Sequence, residues 1–452
     1  MKIIVVGCGK IGTTIVSSLV KEGHDVVAID KSDATIAEMN NVYDVMGVCG
    51  SGTDSSTLQE AGVEKADMFV AVTDSDEMNM LSCFIAKKMG AKHTIARIRN
   101  PEYNDENLTF LRQNLDLSLS INPELLAAQE IYNILKLPTA AKIETFSRRN
   151  FEMIELRLKE DSPMIGLSLW QLRKKYQANF LICCVQRGED VTIPDGRFVL
   201  EPGDRIGLTA APTEIQKLLK MLGIQQKQAR SVMILGASKT AFYLAKMLEA
   251  GGSSVKIIEK DPEKCRSFCE ELPKTTILCG DGAQQELLME EGISTTDAFV
   301  ALTGMDEQNI LISFFAGSQK VSKVISKVNR AELSAMAQRL GLDCIISTRS
   351  VVSGMLVQYA RALQNSMGSS IETLYKLMDD KAEALEFIVR PDFPMTDIPL
   401  KEMKLKPNIL LVGILRGRRA IIPSGDDVIL PGDRVVVLTT GHRLHDLSDI
   451  GA

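Results

Sequence analysis

The chain has little of what a membrane, metal-binding or secreted protein needs. None of its apolar runs approaches the ~20 residues required to cross a bilayer. The longest candidates, Phe180 to Val185 and Asn408 to Leu415, are strand-sized. Histidine is scarce, with 4 scattered residues, and the sequence offers no convincing metal cluster. The 9 cysteines are odd in number and contain no Cys-x-x-Cys. Cys183 and Cys184 are adjacent, and Cys265 and Cys269 are one helical turn apart, which fits reduced thiols in a cytosolic chain. The chain opens directly on the strand-like Lys2-Ile3-Ile4-Val5-Val6, so no ordinary secretory signal is expected. A basic excess is also missing: 52 Lys and Arg stand against 58 Asp and Glu, a formal charge of −6. Neither half is basic, which argues against a general nucleic-acid surface.

What is present is ordinary in composition and unusual in order. The 452 residues are 45% hydrophobic and 24% charged, enough to bury sizeable cores. The sequence is written twice. Ile193-Pro194-Asp195-Gly196, running on to Pro202-Gly203-Asp204-Arg205, returns as Ile422-Pro423-Ser424-Gly425, running on to Pro431-Gly432-Asp433-Arg434. Val70-Ala71-Val72-Thr73-Asp74-Ser75-Asp76-Glu77 returns with nearly the same offset as Val300-Ala301-Leu302-Thr303-Gly304-Met305-Asp306-Glu307. A unit this long is too large for a solenoid repeat and large enough for two small domains.

Each half begins with short β-branched strands that lack strict alternation, separated by helical stretches such as Lys10–Lys21 and Glu77–Met89. Strands are expected near Lys2–Gly7, Asp25–Asp30, Asp44–Gly50, Met68–Thr73, Thr94–Arg99 and Leu117–Asn122, and at matching places from Ser231 to Thr348. That alternation predicts an α/β fold with a doubly wound parallel sheet, made twice. A last helix follows in each half, at Pro123–Lys136 and around Ser350–Gln364. The character then changes to close-set strands with Pro-Asp-Gly and Pro-Gly-Asp turns, a short helix and a final helix. Four domains are expected, at 1–142, 143–225, 229–369 and 370–452, with a polar joint near Gln225–Arg230. His442 and His445 are expected on the exposed final helix.

Gly7-Cys8-Gly9-Lys10-Ile11-Gly12 follows the first strand and opens a helix. In that context Gly7 allows the tight turn and Gly9 lets backbone approach a pyrophosphate. Gly12 brings the helix close to the sheet. The free N–H groups of the helix start then face phosphates. Asp30 ends the second strand, where a carboxylate binds ribose hydroxyls and repels a 2′-phosphate. NAD(H), ATP or ADP is therefore expected rather than NADP. Ser51, Thr53, Thr73 and Asp74 lie at further carboxyl ends of strands. For these residues turn and cap chemistry is the alternative to ligand contact, and for Asp76, Glu77 and Asn79 it is at least as good. Arg97 sits inside an apolar strand and calls for an anionic partner, a carboxylate or a ligand phosphate.

In the second half the same turn reads Gly236-Ala237-Ser238-Lys239-Thr240-Ala241, and only the first glycine remains. Glu259 keeps the ribose-type acid, Gly280-Asp281-Gly282 keeps a turn, and Lys327 stands where Arg97 stands. The expectations here are a weaker site, a nucleotide with different phosphate placement, or a fold relic without ligand.

The duplicated plan, the Gly7-to-Gly12 turn with Asp30, the Thr73-Asp74 loop and the paired Pro-Gly-Asp-Arg tails together resemble the two-unit RCK (or KTN) family of Trk potassium-uptake regulators. The resemblance covers essentially the whole chain. It implies Rossmann-like sheet domains, each followed by a small α+β RCK C-terminal domain. It implies a cytosolic, non-enzymatic protein that binds NAD(H) or adenine nucleotides. It also implies a homotetramer forming a ring of eight units on the inner face of a membrane K+ channel or transporter subunit of the TrkH or TrkG kind. By the same resemblance Gly7, Cys8, Gly9, Lys10, Ile11, Asp30, Thr73, Asp74 and Arg97 line the first nucleotide site. Gly236, Ala237, Ser238, Lys239, Thr240, Glu259, Asp281 and Thr303 line the second. Two departures stand out: Ser51 replaces a frequent acid, and Ser238 and Ala241 replace glycines. Two other function classes remain open on the residues alone. An NAD-dependent oxidoreductase would need a substrate domain that the short tails do not offer. A nucleotide sensor acting on a soluble partner needs no channel.

Overall fold

The computed structural model describes residues 1–452 except 101, 102, 104, 137–141, 147–150, 177, 178, 223–228, 343, 367–370, 379, 380, 418, 445 and 452. Most of the polar joint expected near Gln225–Arg230, and His445, lie outside the described residues.

The first half opens with six strands: β1 (Lys2–Val6), β2 (Asp25–Asp30), β3 (Met46–Cys49), β4 (Met68–Ala71), β5 (His93–Arg97) and β6 (Leu119–Ile121). They form a parallel sheet in the order β3-β2-β1-β4-β5-β6. Helices cover both faces, so the central strands are buried on both sides. Every residue of β4 and of Ile3–Val6 is buried, which is why they read as unbroken apolar runs. Chain direction turns outward in opposite senses from β1 and β4, and this reversal opens a crevice beyond their carboxyl ends. A tail follows with β7 (Lys142–Phe146), β8 (Phe151–Arg157), β9 (Phe180–Arg187), β10 (Asp190–Thr192) and β11 (Arg205–Ala210). It is an antiparallel sheet in the order β10-β9-β11-β8-β7.

The second half repeats this plan. Strands β12 (Ser231–Leu235), β13 (Ser254–Glu259), β14 (Thr275–Cys279), β15 (Ala298–Ala301), β16 (Lys323–Lys327) and β17 (Cys344–Ile346) take the order β14-β13-β12-β15-β16-β17. Strands β18 (Ile371–Leu377), β19 (Ala382–Ile388), β20 (Ile409–Arg416), β21 (Arg419–Ile421) and β22 (Arg434–Thr439) make the second antiparallel sheet.

The chain divides into two compact units, and each gathers like parts from both halves. The first unit holds Met1–Tyr132, Val232–Gln319 and Ile325–Ala360. Within it the Ser18 and Ser353 hydroxyls bond at 2.9 Å, and the Asn122 amide donates to the Tyr243 hydroxyl at 3.0 Å. The His93 and Tyr359 rings meet edge to face.

The second unit holds Asn133–Ser231, Lys320–Val324 and Arg361–Ala452. Met153, Cys183 and Cys184 of the first tail share one core with Ala384, Val412, Val436 and Leu438 of the second. Polar seams fix the register of this core. Thr209 Oγ1 donates to the Val412 carbonyl at 3.2 Å, and Met378 N donates to Glu155 Oε1 at 3.1 Å. The repeated Pro-Gly-Asp-Arg segment is structural. Asp204 is 1% exposed and accepts from Arg187 Nε, Arg187 Nη2 and Glu201 N, each at 2.8 Å. Asp433 accepts in the same way from Arg416 and from Leu430 N. Each aspartate closes its own Pro-Gly turn and clamps an arginine from the neighbouring strand.

One expectation needs correction. The first tail ends in a helix, Pro212–Met221, which buries Ile215, Leu218 and Leu219. Among the described residues the second tail ends in a 3₁₀ turn, Leu447–Ile450, and its short helix is another 3₁₀ turn, Leu400–Glu402. Pro399 and Pro407 bracket the latter and leave room for one turn. At the end, Gly441 takes φ +80° and Asp446 caps a fresh start by accepting from Ser448 N, so the segment breaks into short pieces. His442 therefore sits on no helix. Among the described residues, no helix is long and apolar enough to cross a membrane.

Removing a buried charged acceptor costs about 2–3 kcal/mol. Asp204→Ala is therefore expected to lower the thermal unfolding midpoint of the full chain, followed by circular dichroism. Lys401→Ala breaks only the exposed pair with Asp426 and is expected to leave the midpoint unchanged.

Candidate functional site

A cavity of about 1030 Å³ opens at the carboxyl edge of the first parallel sheet, entirely within the first unit. Gly7, Gly9, Lys10 and Ile11 form one wall, Asp30 and Ser51 another, and Thr73, Asp74 and Arg97 a third. Most of the first-half candidates are thus brought together around one cavity. Cys8, Gly12 and Thr53 stand off the cavity: Cys8 and Gly12 are buried, and Thr53 bonds Ser51, hydroxyl to hydroxyl at 2.9 Å.

The three glycines of the turn differ in kind. Gly7 has φ +92°, and a Cβ there would lie 2.8 Å from Thr73 N. A Cβ on Gly12 would lie 1.8 Å from the Gly7 carbonyl oxygen. Both glycines are demanded by the fold. Gly9 has φ −70° and ψ −170°, open to any residue, and its Cβ would meet nothing within 4 Å. The space a side chain would fill at Gly9 is the cavity itself.

Asp30 does structural work as well. Its carboxylate accepts from Cys8 N at 2.7 Å and from Ser32 N at 2.9 Å, tying the glycine turn to the end of β2. Burial, and then the nearby Asp30 charge, push the Cys8 thiol up to about 12, so Cys8 stays protonated behind the turn. Asn79 is fully buried. It accepts from Thr73 N at 2.7 Å and donates to the Arg97 carbonyl at 3.0 Å, stapling the ends of β4 and β5. Asp76 accepts from Arg99 N and Asn100 N at 2.7 and 2.8 Å. Structural roles therefore account for Asp76 and Asn79. Arg97, 7% exposed, donates to the Thr73 carbonyl through Nη2, while among the described residues its Nε has no partner. Burial, then the adjacent Arg99 charge, lower its proton affinity. An anion in the cavity would offset both effects.

The second half completes this cavity. Ser238, Lys239 and Thr240 line it, together with Lys327, Arg330 and Arg349. Eight basic side chains (Lys10, Lys31, Arg97, Arg99, Lys239, Lys327, Arg330, Arg349) face five acidic ones (Asp30, Asp74, Glu124, Asp306, Glu307). Two of the basic groups are already paired, Arg99 with Glu124 at 2.6 Å and Arg330 with Glu307. The remaining balance favours a polyanion. Sequence reasoning did not place Arg99, Glu124, Arg330 or Arg349 here. The usable signal for the arginines was the basic residues two or three positions past the ends of β5, β16 and β17.

The other second-half candidates gather away from this cavity. Ala237 N donates to Glu259 Oε2 at 2.7 Å, and Gly236 (φ +96°) packs on the Thr303 backbone. Thr303 bonds Asn309 as Thr73 bonds Asn79, and Asp281 closes its own turn by accepting from Ala283 N at 3.0 Å. Ser238, in place of Gly9, accepts from Ala241 N at 3.3 Å and so caps its own helix. Gly9 has no side chain to do the same, so the first-half helix starts without a side-chain cap.

Gly9→Val is expected to abolish binding of NADH and ATP in calorimetry while changing stability by no more than about 0.5 kcal/mol. Gly12→Ala is expected to cost roughly 3 kcal/mol through overpacking. Equal stability losses in the two variants would contradict the assignment of Gly9 to the cavity.

Comparison with known proteins accords with this architecture. The TrkA-N domain model matches residues 3–113 and 232–348, and the TrkA-C domain model matches residues 153–223 and 384–450. The chain is 33% identical over 450 residues to a Trk system potassium uptake protein TrkA homolog of Archaeoglobus fulgidus, covering 100% of both chains. It is 30% identical over 459 residues to the Trk system potassium uptake protein TrkA of Vibrio alginolyticus, covering 100% of this chain and 98% of that one. Among solved structures it is similar in fold to the GsuK RCK domain, with TM-score 0.62, 17% identity and coverage of 97% and 92%. The GsuK channel bound to NAD matches with TM-score 0.61 and 17% identity, covering 97% of this chain and 77% of that one. With both family models matched in each half and full-length relatives at this identity, the chain belongs to the TrkA family of Trk system potassium uptake proteins.

Proposed function

We propose that this chain is a nucleotide-responsive regulatory subunit of a potassium uptake system, and not an enzyme. The observation that carries the reading is the cavity that Gly9, Asp30 and Arg97 share with Lys239 and Arg349 of the other half. Asp30 suits a ribose diol, the turn's N–H groups suit a pyrophosphate, and the far-side cations suit whatever negative charge the ligand carries beyond it. NAD(H), ATP and ADP satisfy this pattern. A ligand bridging two sheet edges favours the arrangement of the two sheets that it binds more tightly, by no more than that affinity difference. The second half's own turn, capped by Ser238, is the weaker site.

The pore belongs to a separate integral membrane K+ channel or transporter subunit of the TrkH or TrkG kind, with this chain at the inner face of the cell membrane. Self-association to a homotetramer, an eight-unit ring, is supported by apolar side chains on the helices of the parallel-sheet domains. Leu81 and Leu311 on the equivalent helices Asp76–Lys88 and Asp306–Ser318, Met305 at the cap of the second, and Met336 and Leu340 on and just past the helix Ala331–Arg339 are 47–67% exposed.

Asp30 and Glu259 do equal structural work on their turns, so comparing them isolates the ligand term. Losing charge-assisted bonds to a ribose costs about 1.5–3 kcal/mol, roughly 10- to 100-fold in affinity. Asp30→Ala is expected to weaken NADH or ATP binding by that factor in calorimetry on the full chain, and Glu259→Ala to leave it nearly unchanged. In liposomes holding the channel partner, potassium flux is expected to lose its nucleotide response with Asp30→Ala. Unchanged affinity in Asp30→Ala would sink the ribose assignment. An unchanged flux response despite lost binding would sink the regulatory role.

A further inference from the structure

Three thiols lie close together at the edge of the second parallel sheet. Cys265 and Cys269 are one turn apart on the helix Pro262–Glu271, which packs against β13 and β14. Cys279 is the last residue of β14. The register sets Glu259 directly beside Cys279, as neighbours on parallel strands. The Cys265 thiol donates to the carbonyl of that same Glu259 at 3.3 Å. Cys265 and Cys279 are thereby held on either side of one backbone position, near enough that Cys279 helps to raise the proton affinity of the Cys265 thiol. Cys265 is 6% exposed, whereas Cys279 and Cys269 are exposed.

We propose that Cys265 and Cys279 form a reversible redox pair, a modification site that a hydroperoxide oxidises to a disulfide.

The exposed Cys279 reacts first. Its thiolate attacks a peroxide oxygen, the O–O bond breaks, and hydroxide leaves, giving a sulfenic acid. The Cys265 sulfur then attacks the Cys279 sulfur. Water leaves with the Cys265 proton, and the S–S bond forms. Two thiols are oxidised and one hydroperoxide is reduced. Cys265 is suited to the second role only, because burial, then the neighbouring Cys279, pushes its thiol up to about 12. A thiol disulfide of this kind in a reducing compartment is transient by nature. The new bond would fasten the helix Pro262–Glu271 to the end of β14, beside Glu259 of β13, whose carboxylate holds the Ala237 and Asp261 N–H groups at 2.7 and 2.9 Å. Oxidation would thus stiffen the second half's turn.

The first half supplies an internal control. Cys49 ends β3 beside Asp30 as Cys279 ends β14 beside Glu259, and it too is exposed. The position matching Cys265 there is the buried Ile36, which offers no second sulfur.

The test treats the reduced full chain with hydrogen peroxide, alkylates the remaining thiols, and digests it without reductant for mass spectrometry. The expected result is a joined pair of peptides carrying Cys265 and Cys279, two hydrogens lighter than the free peptides and separated again by dithiothreitol. Cys49 is expected to be oxidised singly. In Cys265→Ser the joined pair is expected to vanish and Cys279 to be trapped by dimedone as a sulfenic acid. Three results would overturn the proposal: Cys279 joined mainly to Cys269, Cys265 fully alkylated after peroxide treatment, or Cys279 left unoxidised while Cys49 reacts.

Discussion

The hydrogen bond from Cys8 N to the Asp30 carboxylate, at 2.7 Å, joins the end of one central strand to the end of its neighbour. Ala237 N and Glu259 make the same bond at the same length in the second half. A parallel strand ends with N–H groups that no following strand satisfies, and leaving them bare beside a buried sheet is costly. An acid at the end of β2 or β13 takes one of them and so fixes where the next helix begins. Gly7 must then turn with positive φ, and Gly12 must sit against its carbonyl. The helix start at Lys10, or at Lys239, comes to face the crevice beyond the sheet. The candidate site is a by-product of solving this problem at the strand ends.

Duplication has let the two copies of that solution diverge. The structural members are kept in pairs: Asp30 and Glu259, Asn79 and Asn309, Asp76 and Asp306, Asp204 and Asp433 make equivalent bonds in the two halves. Two members facing open space are not kept, although Lys10 and Lys239 both line the cavity. Gly9 became Ser238, which spends its hydroxyl on its own helix, and Arg97 became Lys327. Burial lowers the proton affinity of Lys327, as it does for Arg97, so both cations gain from an anion nearby. Equal scaffolds with unequal linings let the two halves contribute differently to the one cavity they share.

Local chemistry made much of this legible in the sequence. The buried strands announced themselves as β-branched runs, and the glycine roles at Gly7, Gly9 and Gly12 follow from φ and Cβ clearance. Arg97 in an apolar strand called for an anionic partner, whereas its hydrogen bond in the structure goes to the Thr73 carbonyl. What stayed hidden depends on tertiary pairing. Nothing in the spacing of Ser238, Lys239 and Thr240 says that they face the first half's cavity, because that is set by how the two sheets pack. The dual role of Asp30 was hidden for a similar reason: its backbone partners are 22 and 2 residues away, and only the former crosses the sheet. The second tail's ending was misread because its segmentation by Gly441 and Asp446 overrides a helical pattern that its counterpart at Pro212–Met221 fulfils.

The central claim is that one ligand touches both halves at once. Hydrogen–deuterium exchange of the full chain with saturating ATP or NADH tests it most directly. The account predicts that backbone amides of Gly9–Ile11 and of Ser238–Thr240 gain protection together, and that both gains disappear in Gly9→Val. Protection confined to the first-half segment, with Ser238–Thr240 exchanging as in the free protein, would contradict it.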